Sequence, residues 1–119
     1  MTPPTLPPPV SSYIAATNDS DIEALMATFA EDALVNDHRN EFASRDVIRN
    51  WAQREIINDR LAMQVTSWTC RSDTVAVTAN VDGNFDKTGL PAPLALTFYF
   101  SVSGERIVQL IIVHNKPAA

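Results

Sequence analysis

The stretch Val75-Ala76-Val77-Thr78-Ala79-Asn80-Val81-Asp82-Gly83-Asn84-Phe85 alternates with a period of two. Val75, Val77, Ala79 and Val81 project to one side, while Thr78, Asn80, Asp82 and Asn84 project to the other, as in a strand with one dry face. Segments of similar β-rich character flank it at 61–71, 94–102 and 106–115. They are separated by Ser72-Asp73, by the run from Asp86 to Pro93, and by Ser103-Gly104-Glu105. Ser/Asp/Gly connections between strand-like runs join antiparallel neighbours. The polar row has two readings that periodicity does not separate: the solvated face of a sheet, or the lining of a wet cavity.

Upstream of these strands the period lengthens. Ile22, Leu25, Met26 and Phe29 fall at i, i+3, i+4 and i+7, one apolar stripe of a helix. Ser20 followed by Glu23 has the form of a capping box at its start. An earlier helix runs through Val10, Tyr13, Ile14 and Ala16, with Pro9 at its first position, where the missing N–H costs nothing. Ser44 caps a third helix with Val47, Ile48, Trp51, Ala52 and Glu55 along one side and Arg45, Arg49 and Arg54 nearer solvent. Ahead of it, Ala33-Leu34-Val35 begins a short strand leading into Asn36-Asp37-His38-Arg39-Asn40, five consecutive polar residues. Helices first and strands afterwards predict an α+β fold, with helices on one face of a curved antiparallel sheet. Five of the eight prolines precede residue 10, so residues 1–9 read as a Pro-rich arm ahead of a single domain over 10–116.

A chain of 119 residues that is 45% hydrophobic is long and apolar enough for one core. Charged residues make up 19%, below the ~25% of an average soluble protein. That shortfall suggests surface hidden in a cavity or against another copy of the chain. A formal charge of −5 argues against nucleic acid or an anionic membrane as partner. No apolar run approaches the ~18 residues of a membrane span, and the first residues lack the basic and apolar regions of a signal peptide. The expectation is a cytoplasmic protein. Cys70 is the single cysteine, which excludes an internal disulfide and a zinc framework and reads as a small buried hydrophobe. With three glycines there is no phosphate-cradling loop and no nucleophile elbow.

Asp37 is the first candidate for chemistry. It ends a hydrophobic strand, and a carboxylate partly removed from water becomes a more effective base near neutral pH. A solvated acid beside Arg39 is an equal reading. Tyr13, on the apolar side of the first helix, can place a phenol against a substrate oxygen or can be core. His38 falls in the polar loop and reads as exposed. His114 shares strand parity with Leu110 and Ile112 and reads as inward, either as a structural histidine or as a proton shuttle. Asp37, His38 and Glu41 have metal-ligand atom types, but adjacent residues rarely share a coordination sphere, so no metal is expected. The expected pocket lining is Trp51, Glu55, Trp68, Asn80, Asp82, Leu96, Phe98 and Ile112, with aromatic rings as its wall.

Three runs then carry a resemblance: 13–21 (Tyr13-Ile14-Ala15-Ala16-Thr17-Asn18-Asp19-Ser20-Asp21), Phe29-Ala30-Glu31-Asp32-Ala33 and Val35-Asn36-Asp37. Together with Arg45-Asp46-Val47-Ile48-Arg49-Asn50-Trp51 and Gly83-Asn84-Phe85, the chain resembles nuclear transport factor 2-like proteins, in their SnoaL-like branch, over residues 10 to 115. The resemblance implies a cone-shaped, cystatin-like α+β barrel in which three N-terminal helices close a curved antiparallel sheet around a pocket. Ketosteroid isomerase is a relative, and its general-base Asp and oxyanion-hole Tyr fall on Asp37 and Tyr13. Its second oxyanion donor, a protonated Asp, falls on Leu96, which cannot donate. Steroid isomerisation is therefore not expected. Nor does the chain show the Asp-Arg-Asp arrangement of the related epoxide hydrolases. What remains is a cofactor-free acid–base enzyme of isomerase, cyclase or dehydratase type acting on a small hydrophobic molecule in the cone, with Asp37, Tyr13 and His114 as catalytic groups. The alternatives are a non-catalytic binder of such a molecule and an interaction module. A homodimer through the sheet is expected.

Overall fold

A computed structural model describes residues 6–114. Helix α1 (Pro8–Asn18) opens on two prolines at N1 and N2, positions whose N–H groups no helix satisfies. It therefore takes in the last two residues of the stretch read as an arm; residues 1–5 and 115–119 lie outside the described part. Helix α2 (Ile22–Met26) is shorter than its apolar stripe suggested. Its N-cap is Asp21, whose carboxylate accepts from Ala24 N at 3.1 Å, so the Ser20/Glu23 capping box does not form. Phe29, the last residue of that stripe, instead begins β1 (Phe29–Asp37). The same i+7 spacing that extends a helix face also suits a strand turning inward after a two-residue link.

Strand β1 turns directly into β2 (Asn40–Ala43), a short strand that the sequence reading did not anticipate and whose first residue ends the polar run 36–40. Ser44 then caps α3 (Arg45–Ala52), accepting from Val47 N, as the sequence predicted. Ile48, Trp51 and Ala52 are buried, whereas Val47 is 42% exposed and belongs to the outer side. Arg45, read as solvent-facing, donates to Phe29 O at 2.9 Å and Met26 O at 3.1 Å. It thereby satisfies carbonyls at the join of α2 and β1 that no helical bond reaches. Past Ala52 the helix widens into a π turn over Gln53–Ile57, with Asn58 N bonding Gln53 O at 2.9 Å.

Strands β3 (Ala62–Arg71), β4 (Thr74–Asp82), β5 (Leu94–Ser103) and β6 (Arg106–His114) follow. The six strands form one curved sheet in the order β2-β1-β6-β5-β4-β3. The expected antiparallel pairing holds except at one place: β1 runs parallel to β6. The sheet stays open, with β2 and β3 at its edges.

The core lies between the concave face and the helices. Val75, Val77, Ala79 and Val81 are all buried in it, so the dry row of β4 faces inward. Phe98, Phe100, Leu110 and Ile112 continue that face across β5 and β6. From α1, Tyr13 meets Phe29 and Phe100 edge-on, at ring-centroid distances of 6.0 and 5.2 Å. Tyr99 and Val113 stand exposed on the opposite face. Cys70 lies on edge strand β3 and is exposed, which corrects its reading as a buried hydrophobe.

Candidate functional site

Asp37 and Asn40 pair as the last residues of β1 and the first of β2, leaving a two-residue turn of His38 and Arg39. Both take left-handed backbone angles, φ 52° and 71°. Such a turn matches the twist of a hairpin and usually uses Asn or Gly. Here Asn36 Oδ1 accepts from Arg39 N at 3.0 Å, and His38 N donates to Ile112 O at 3.2 Å. The second bond ties the turn to the end of β6.

Asp37 is held from two sides. Its Oδ2 accepts from the indole Nε1–H of Trp51 at 3.0 Å, and its Oδ1 lies 2.6 Å from His38 Nδ1. The His38 ring rests on that of His114, with centroids 4.0 Å apart. His114 closes β6 directly across from Leu96 on β5. Desolvation lowers its pKa below the ordinary histidine value, the charge of His38 adds to this, and Asp37 opposes it.

These groups share a cavity of about 240 Å³ with Tyr13. Burial raises the Tyr13 pKa above the usual phenol value and the carboxylate of Asp37 raises it further, with Thr17 opposing. The phenol is therefore a neutral donor at any physiological pH. Trp51, Glu55, Leu96, Phe98 and Ile112 also line this cavity. Three expected residues do not. Asn80 and Asp82 line an adjoining cavity of about 590 Å³ between the β3–β4 end and the loop before β5, which shares Val81, Phe85, Leu90 and Leu94 with the first; there Lys87 meets Asp82 at 2.7 Å. They stand on the polar row of β4, whose neighbours Ala79 and Val81 are the buried residues. Trp68 pairs with Val77 and packs against the core away from either cavity.

The sequence reading missed His38, Ile56, Asp59, Phe85 and Leu90, all of which line the smaller cavity. The π turn brings Glu55 and Ile56 to the wall. The polar run 36–40 was the available signal for His38, but it was not read as a two-residue hairpin turn. Among the described residues no three His, Cys, Asp or Glu side chains are grouped so as to hold a metal ion. The arrangement combines a fixed carboxylate, two adjoining imidazoles and a neutral phenol in a largely apolar space, which suits proton transfer to and from a bound molecule.

The family model of the SnoaL-like domain matches residues 10–110. The chain belongs to the SnoaL-like family. Among solved structures, this SnoaL-like chain is similar to a proposed polyketide cyclase from Sinorhizobium meliloti, with 30% identity, a TM-score of 0.81, and coverage of 91% of this chain and 95% of that one. A proposed ketosteroid isomerase from Kribbella flavida aligns at 14% identity and a TM-score of 0.75, covering 93% and 78%. An NTF2-like protein of unknown function from Cytophaga hutchinsonii aligns at 12% identity and 0.74, covering 96% and 95%. The last two show the fold alone. No curated protein matches the sequence. No helix among the described residues is long and apolar enough to cross a membrane.

Proposed function

We propose that this SnoaL-like protein is a cofactor-independent acid–base catalyst for a small, largely apolar carbonyl compound, of isomerase, cyclase or dehydratase type. Asp37 supplies the basic centre and Tyr13 the donor that stabilises the developing oxyanion. The observation that carries this reading is that the two face one cavity, Asp37 with both carboxylate oxygens fixed by partners and Tyr13 neutral. Leu96 stands where the resemblance to ketosteroid isomerase requires a second donor, which disfavours steroid isomerisation.

The test is loss of α-proton NMR signal from a panel of small ketones and β-dicarbonyl compounds incubated with the protein in D2O. Exchange above the buffer rate, abolished in Asp37→Asn with ligand binding retained, is the expected result. Exchange undiminished in that variant overturns the assignment. Binding without exchange in the parent protein favours a non-catalytic binder.

The outer face of β4, β5 and β6 carries Ala76, Thr78, Tyr99, Ile111 and Val113 in register and no charge among them. We propose that it pairs with a second copy of the chain. A monomer in sedimentation at micromolar concentration overturns this.

A further inference from the structure

His38 occupies a costly position. A non-glycine residue in the left-handed region is uncommon, although histidine is among those that tolerate it. Its backbone bond to Ile112 O fixes the turn so that the ring lies at the cavity wall. An ionised carboxylate can only accept, so the 2.6 Å contact to Asp37 Oδ1 makes Nδ1 the donor. In the neutral ring the lone pair is then on Nε2. His114 packs against this ring, tilted by 47° with the centroids 4.0 Å apart. The ring is thus tied at Nδ1, yet its side chain is 37% exposed.

Asp37 is placed differently. Trp51 and His38 each take one of its oxygens, which holds the carboxylate as an orienting group is held. A base in hydrogen-bond contact with a third group that sets its tautomer is the general arrangement of an activated proton acceptor.

We propose that His38 takes and returns the proton through Nε2, and that Asp37 is its positioning residue. This rests on the acid–base reading of the cavity and moves the proton-carrying atom one residue along the chain. In the step, Nε2 forms an N–H bond with the proton of a carbon next to the substrate carbonyl. The C–H bond breaks, its electron pair forms the enolate, and the enolate oxygen accepts the Tyr13 O–H. The resulting imidazolium carries N–H at both nitrogens and faces the Asp37 carboxylate. Return of the Nε2 proton to the same carbon, or to a conjugated one, restores the neutral ring. Nothing is oxidised or reduced. Desolvation and the charge of His38 lower the His114 pKa, which disfavours a second proton on the adjoining rings.

Two measurements on the intact protein test this. Long-range 15N–1H NMR of the histidine rings reports the tautomer directly. The expected result is Nδ1–H for neutral His38 in the parent protein, lost in Asp37→Asn. An Nε2–H tautomer in the parent, or an unchanged one in Asp37→Asn, overturns the proposal. A purely structural Asp37 would leave the tautomer alone. The second measurement is the D2O exchange assay with His38→Gln, expected to slow exchange by about 10²–10⁴-fold. Exchange within about threefold of the parent overturns the proposal while leaving acid–base function standing. A parent protein that exchanges none of the panel overturns the proposed function instead, and the tautomer result still decides the role of Asp37.

Discussion

Trp51, on α3, donates its indole N–H to the Asp37 carboxylate at the end of β1, at 3.0 Å. One bond therefore joins the helical layer to the sheet at the candidate site, and it holds in place the oxygen that His38 does not.

Replacing Trp51 with Phe keeps a buried ring but leaves Asp37 Oδ2 without its donor. A hydrogen bond to a charged group contributes about 1.5–3 kcal/mol. The expected loss of stability is about 2 kcal/mol, read as a lower urea midpoint with an unchanged slope. A midpoint equal to that of the parent would show that the bond contributes nothing.

Arg45 bonds two backbone carbonyls at the α2–β1 join. Arg45→Met retains the aliphatic stem and removes both donors. Destabilisation of about 2 kcal/mol is expected, measurable in the same urea series, whereas a solvent-facing arginine would give almost none.

Tyr13 titrates above the phenol value of 10.0 in the folded protein. Above pH 10 the unfolded chain releases this proton while the folded one keeps it, so the contribution of Tyr13 to stability is complete below pH 10 and falls as pH rises beyond it. Tyr13→Phe removes that part of the alkaline slope. It also removes the proposed oxyanion donor, and exchange should drop by about 10²–10³-fold.

His114 provides a local electrostatic check. Its titration midpoint, followed by ring-proton NMR, is expected below 6.5. Removing the charge of His38, as in His38→Gln, raises it; removing that of Asp37, as in Asp37→Asn, lowers it. Shifts of the opposite sign would contradict the placement of the three groups.

At Gly83 a Cβ would lie 2.8 Å from Asp59 O, the same carbonyl that accepts from Asn84 N at 2.7 Å. Backbone cannot yield as a side-chain tip can. Gly83→Ala should cost about 1–3 kcal/mol, seen as a lower thermal midpoint.

Much of the fold was legible because strand alternation is a local property. β4 declared itself through four small apolar residues at every second position, and the separators around it marked β3, β5 and β6. Alternation does not say which row of β4 faces the helices: Asn80 and Asp82 were expected to line the cone, whereas the apolar row is the buried one and these two border the adjoining cavity. The β1–β2 hairpin was missed because its turn uses His38 and Arg39, without the Asn-Gly signal that such turns normally give. That error hid the imidazole bonded to Asp37. The parallel β1–β6 contact was invisible for a different reason: it joins segments some seventy residues apart, and no short-range pattern encodes it.

That same parallel pairing governs the order in which the molecule can be assembled. β6 sits between β1 and β5, so the hairpin β1–β2 and the meander β3–β4–β5 have no strand in common until the final strand arrives. Asp37 and His38 come from the early part of the chain, His114 from the last described residue. During synthesis the early hairpin must wait, with one edge unsatisfied, until β6 emerges, and contacts of such long sequence separation form slowly. The grouping of Asp37, His38 and His114 is thus completed only when β6 docks against β1.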